Sequence, residues 1–150
     1  MSARFTLKTA APGGYQAMLA LHAQVKSSGL DHALVELVKV RVSQQNGCAY
    51  CVALHVDEAK KAGVDETRLH LLAVWREAPV YSGAERAALA WAETLTLLPG
   101  REVPDEAFAA VRGAFTVEQV AELSLAIVEI NAWNRLMMAA RLPPERSGAS

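Results

Sequence analysis

Cysteine is nearly absent from this chain. Its 150 residues contain only two, Cys48 and Cys51. A single pair three positions apart excludes the disulfide framework of a small secreted domain. Net charge is also lacking: Lys+Arg 15 against Asp+Glu 16 leaves −1, with no basic field for nucleic acid or anionic lipid. The N-terminal "MSARFTLKTAAPGG" has no apolar core followed by a small-residue cleavage site, so it does not read as a secretory signal. Glu93, Glu122 and Glu129 interrupt the longest apolar stretches, so none is expected to span a membrane. Internal repeats, low-complexity tracts and strand patterns are missing as well. The expected location is cytoplasmic, where a close thiol pair is more often catalytic or metal-binding than structural.

What is present is helix. The length suits one domain burying roughly 68–70 % of its unfolded surface, and the 52 % hydrophobic content leaves apolar residues to spare for a subunit interface. "YQAMLALHAQVKSSG" from Tyr15 is amphipathic and ends at Gly29. Asp31 N-caps "HALVELVKVRVSQQN", which is apolar almost all round and therefore central. Gly47 separates it from the cysteine helix, which Gly63 ends. Asp65 opens "ETRLHLLAVWREA", stopped by Pro79. Ser82 with Glu85, and Thr116 with Gln119, form capping boxes before two further helices, the second running to about Arg141. A shorter helix starts at Pro104-Asp105 and reaches about Arg112. The pattern predicts an all-α fold, a single helical domain of about seven helices over residues 1–142, with a mobile tail over 143–150.

The cysteine helix carries the chemistry. At about 100° per residue, with Cys48 at zero, Cys51 falls near −60° and His55 near −20°. The two thiols and the imidazole share one inward stripe, and Tyr50 points the other way. Residues i and i+3 of a helix hold their Cα atoms about 5 Å apart, within disulfide range. A thiol in the first turn lies beside unpaired N–H groups and the positive end of the helix dipole, which favour thiolate. His55 is i+4 from Cys51 but i+7 from Cys48, a spacing that nominates Cys51 as attacking thiolate and Cys48 as resolving partner. The dipole taken alone prefers Cys48. A carboxylate behind the imidazole would fix its tautomer. Glu36, twelve residues before Cys48 in an otherwise apolar helix, is the candidate, since an ionised carboxylate there is costly unless paired.

Glu36, Cys48-x-x-Cys51 and His55 in this register resemble the core of the AhpD-like alkylhydroperoxidase family, within the carboxymuconolactone decarboxylase superfamily. The similarity runs from about Leu34 to Leu98 and takes in "SGAERAALAWAETLT"; the closing "INAWNRLMMAAR" resembles the end of a family member. The resemblance implies an all-helical fold assembled into a homo-oligomer, trimer or hexamer. It also implies a thiol peroxidase relay: Glu36 orients His55, His55 promotes the Cys51 thiolate, Cys51 attacks a hydroperoxide, and Cys48 closes the disulfide. The implied reductant is an external dithiol, lipoyl-type or another thiol donor. Tyr50 stands where the best-known members carry a histidine. The superfamily's decarboxylases generally lack the cysteine pair. No metal, flavin or nucleotide motif implies a cofactor.

Plainer readings stand beside these. The cysteines are also small hydrophobes suited to a core, which would leave a helical assembly module. Thiol–disulfide exchange or redox sensing without peroxidase activity is the nearer alternative. Zinc would use Cys48, Cys51 and His55, but a closed structural site needs four ligands and no second CxxC or HxxxH supplies one. Glu36 could pair with Lys39 at i,i+3 for only ~0.2–0.5 kcal/mol. His22, His32 and His70 offer no motif. Trp75, Trp91 and Trp133 read as packing residues, and Asn131 and Asn134 as hydrogen-bonding groups of undecided partner.

Overall fold

The computed structural model describes residues 2–144, and every described residue lies in a helix, a turn or a connecting segment. Among the described residues eight α-helices follow one another: α1 (Leu7–Ala10), α2 (Pro12–Lys26), α3 (His32–Asn46), α4 (Ala49–Lys61), α5 (Glu66–Leu71), α6 (Gly83–Thr96), α7 (Asp105–Arg112) and α8 (Val117–Ala140). Residues 145–150 of the expected tail lie outside the described part. Among the described residues no helix is long and apolar enough to cross a membrane.

Side-chain caps set most of the helix starts. Asp31 accepts from Leu34 N–H and Asp65 from Arg68 N–H. Both expected capping boxes are formed, at Ser82/Glu85 and Thr116/Gln119. Gly47 at φ 72° ends α3 and Gly63 at φ 90° follows α4, left-handed positions that cost glycine little. The helix expected to run on to Pro79 instead tightens after Leu71 into a 3-10 turn at Leu72–Val74. The Arg86 side chain on α6 takes the carbonyls of Trp75, Ala78 and Arg76 as hydrogen-bond acceptors, so they are satisfied without a helix. The short α1 has no counterpart in the sequence reading.

Helix α3 is buried on three sides. Leu34, Val38 and Val42 share a core with Trp91 of α6, Val111 of α7, and Leu123 and Ile127 of α8. Leu37 and Val40 share a second core with Ala59 of α4, Leu69 of α5, Leu72 of the 3-10 turn and Leu89 of α6. Val35 meets Val25 of α2 and Ala126 of α8. Each fully buried aliphatic side chain contributes about 1.5–3 kcal/mol, and this all-round burial explains why α3 shows so little polar periodicity. Two charged groups of α3 are consequently inside, Glu36 at 4 % exposed and Lys39 at 2 %, whereas Arg41 is half-buried.

At its C-terminal end α3 is tied to α8 by amides. Asn46 donates to Asn131 Oδ1 (3.0 Å) and Asn134 Oδ1 (2.8 Å), and Asn134 donates to Ser43 Oγ (3.0 Å). Asn131 also reaches Thr96 of α6. This network fixes the chain immediately before the Gly47 turn and therefore the entry into the cysteine helix.

Candidate active site

Cys48 is the N-cap of α4, one step before the first turn in which the sequence reading put it. Its backbone is extended and its Sγ accepts the Cys51 N–H at 3.3 Å. A sulfur at an N-cap receives one of the otherwise unpaired amide donors of the helix start. The two sulfurs are joined as a disulfide across a Cα–Cα distance of 5.3 Å. Both cysteines are buried, and both belong to the α3–α6–α8 core.

One turn on, His55 Nδ1 lies 2.8 Å from Glu36 Oε2. α3 and α4 pack along one another, bringing Glu36 opposite His55, and both groups are almost fully enclosed. Glu36 therefore makes no pair with Lys39, the local alternative. Lys39 Nζ instead reaches Glu129 Oε2 of α8 at 2.8 Å. A proton held on Nδ1 by the carboxylate leaves Nε2 as the nitrogen able to take or give one.

A cavity of about 330 Å³ opens beside this pair. Cys51 and His55 line it together with Tyr50 and Leu54 of the same helix, whereas Cys48 does not. Tyr50 thus does not point away from the site as the helical wheel suggested. The cavity borders the flank of α4 that runs from Tyr50 through Leu54 and Cys51 to His55, while the core lies on the adjoining flank. Tyr15 and Leu19 of α2 and Trp133 and Met137 of α8 complete a mostly apolar wall. Thr6, Leu7 and Lys8 close one rim, and the segment before them is held by Arg4 N–H donating to Ala140 O at 2.8 Å. Trp133, expected only to pack, is part of this wall.

The sequence reading missed a second cluster on the wall. Glu129, 1 % exposed, accepts from His22 Nδ1 at 2.8 Å and from Trp133 Nε1 at 3.1 Å, besides its ion pair with Lys39. The ammonium approaches Oε2 off the direction of a well-aligned hydrogen bond, so charge attraction dominates that contact. Burial pushes the Glu129 carboxyl up, but the His22 hydrogen bond and the Lys39 charge outweigh it and hold the group below the ordinary carboxylate value. The signal available in the sequence was Glu129 itself, a carboxylate inside an otherwise apolar helix with Trp133 one turn on; its charged partners His22 and Lys39 lie too far away along the chain to be read.

Known proteins share the sequence family and the fold of this chain. The sequence profile of the Carboxymuconolactone decarboxylase family matches residues 12–94. The uncharacterized protein YdfG of Bacillus subtilis is 41 % identical over 139 residues, 93 % of this chain and 95 % of its own. A protein of unknown function from Agrobacterium tumefaciens, ATU0492, proposed to be the antioxidant defence protein AhpD, superposes with a TM-score of 0.93 at 38 % identity. That match covers 97 % of this chain and all of the other. The alkylhydroperoxidase AhpD core of a peroxidase-related protein from Ralstonia eutropha shares the fold, with a TM-score of 0.80 at 24 % identity over 90 % of this chain and 72 % of that one. The chain belongs to the carboxymuconolactone decarboxylase family, on its AhpD-like side.

Proposed function

We propose that the protein is a thiol-dependent peroxidase that reduces hydroperoxides through a Cys51–Cys48 disulfide cycle. The observation that carries this is the meeting of a carboxylate-backed imidazole and one sulfur of a cysteine pair on the wall of one cavity. In the reduced protein, His55 Nε2 takes the Cys51 proton, and Glu36 balances the imidazolium that results. The Cys51 thiolate attacks the peroxide, giving a sulfenic acid, and the adjacent Cys48 thiol displaces water to form the disulfide. An external dithiol, lipoyl-type or another thiol donor, reopens it by attacking Cys51 from the cavity. Cys48 then departs as a thiolate at the helix N-cap, where the Cys51 N–H meets it. The mostly apolar cavity wall suits organic hydroperoxides and a dithiol on an aliphatic arm.

The reaction belongs in the cytoplasm, where reducing equivalents for the dithiol are at hand, and in a homo-oligomer, trimer or hexamer. Exposed Leu97, Val117, Leu125 and Val128 on and beside α6 and α8 favour self-association.

Peroxide-dependent oxidation of a dithiol donor, followed for the wild type and for Cys51→Ser, tests the proposal. Turnover by the first and none by the second is expected; equal rates would overturn it. A second reading, thiol–disulfide exchange without peroxidase activity, is favoured by Tyr50, which puts a phenol rather than an imidazole between the cysteines. Exchange with a disulfide substrate but no peroxide consumption would select it.

A further inference from the structure

We propose that His22, held by Glu129, is the proton donor to the leaving oxygen when Cys51 attacks a hydroperoxide. The inference rests on the peroxidase reading and adds a residue from a different part of the chain.

Oxidation of a thiol by a hydroperoxide takes two proton transfers: the thiol loses a proton, and the alkoxide expelled as the O–O bond breaks must gain one. The cavity wall carries two imidazoles, each with its Nδ1 at 2.8 Å from a buried carboxylate: His55 on Glu36 and His22 on Glu129. Both residues, with Leu54, also line a second cavity of about 290 Å³.

Glu129 does not need His22 to be tolerated inside the protein. Lys39 already balances its charge from a site as deeply buried, and Trp133 supplies a further hydrogen bond. The His22 side chain, by contrast, is 43 % exposed and faces the cavity. The pair therefore works in the other direction: an enclosed, charge-balanced carboxylate fixes the ring by Nδ1–H. In the imidazolium form Nε2–H is then free to give its proton.

The step balances. The Cys51 sulfur forms a bond to the terminal peroxide oxygen while the O–O bond breaks. The expelled alkoxide takes the His22 Nε2 proton and departs as an alcohol. Sulfur is oxidised to the sulfenic acid and the peroxide is reduced to the alcohol; before the next turnover His55 gives up the proton it took from Cys51 and His22 regains one, both through solvent. Cys48 and the external dithiol then complete the cycle as described above.

A proton donor is distinguished from a structural residue by the leaving group. Alkyl hydroperoxides expel a strongly basic alkoxide and need the proton; a peracid expels a carboxylate and does not. His22→Gln keeps a donor toward Glu129 but cannot act as an acid. Single-turnover oxidation of reduced protein should slow about 100-fold with tert-butyl hydroperoxide and less than about threefold with peracetic acid. Equal slowing with both oxidants, or none with either, would overturn the role of His22 while leaving the peroxidase standing. A wild type inert to both oxidants would remove the peroxidase reading and this inference with it. His22→Ala gives an independent measure: added imidazole should restore the alkyl hydroperoxide rate, and failure of that rescue counts against a proton-donor role.

Discussion

His55 Nδ1 and Glu36 Oε2 stand 2.8 Å apart although nineteen positions separate them in the chain. Each explains the other's burial: an ionised carboxylate alone on the inner face of α3 would be expensive, and an imidazole alone beside Cys51 would have no fixed tautomer. Glu36→Gln preserves shape and a hydrogen bond but removes the charge that stabilises the imidazolium. Stopped-flow measurement of peroxide-driven Cys51 oxidation should find a slowing of about 100-fold or more, with the fold intact by circular dichroism. An unchanged rate would remove Glu36 from the chemistry, and an unchanged rate in His55→Ala as well would remove the relay.

The two cysteines should fail differently. Cys51 borders the cavity and Cys48 does not, so Cys51→Ser should abolish peroxide consumption, whereas Cys48→Ser should stop after one turnover with a sulfenic acid or mixed disulfide on Cys51. Mass spectrometry after a stoichiometric pulse of peroxide reads this directly. A sulfenic acid accumulating on Cys48 in the Cys51→Ser protein would reverse the assignment.

Lys39 and Glu129 form an ion pair with both partners 2 % exposed or less. Lys39→Met leaves Glu129 with less compensation and should cost about 3–5 kcal/mol of stability in denaturant titrations. Adding Glu129→Leu to the same protein should return most of that loss, since a well-packed apolar pair often equals or exceeds a buried ionic one. A single variant as stable as the wild type would mean that Glu129 has another source of charge.

Acid should destabilise the fold through two carboxylates. Burial pushes Glu93 up, yet hydrogen bonds from Trp75, Arg41 and Arg76 outweigh it and leave its carboxyl below the ordinary value. Glu129 is lowered in the same sense. A carboxyl that is lowered in the folded state contributes stability above its unfolded value, and this is lost as pH falls through the folded value. Thermal midpoints should hold from neutrality down to about pH 4.5 and fall below it, with a shallower fall in Glu93→Gln. A midpoint independent of pH over that span would contradict the role given to both groups.

The amides that anchor the cysteine turn offer a separate test. Asn134 is fully buried and donates to Ser43 while accepting from Asn46. Asn134→Leu strands the buried Ser43 hydroxyl and takes one of the two bonds of the Asn46 amide, which keeps Asn131; it should cost roughly 1–3 kcal/mol. Hydrogen exchange should quicken at Gly47 and Cys48 in particular; a loss of stability with no change there would mean that the network holds the helices together without positioning the turn.

Local chemistry was legible without a structure. Asp31, Ser82 and Thr116 mark helix starts because a side-chain oxygen and a nearby amide need no distant partner, and the i,i+3,i+7 spacing alone places Cys48, Cys51 and His55 on one stripe. The same reasoning missed Cys48 by a single position, since whether a residue caps a helix or begins it depends on one pair of backbone angles. It turned Tyr50 away from the site because a wheel describes direction from the axis and not what packs on each flank. The carboxylates expose the deeper boundary. On sequence spacing Glu36 and Lys39 are each other's natural partners, one turn apart on the same helix, yet they lie some 60° apart around it. Packing by α4 and α8 from different sides was enough to send one to His55 and the other to Glu129. Sequence by itself therefore determined the helices and the cysteine–histidine stripe, because those follow from neighbours along the chain. Only tertiary structure decided which buried charge meets which, because that depends on how whole helices are rotated against one another.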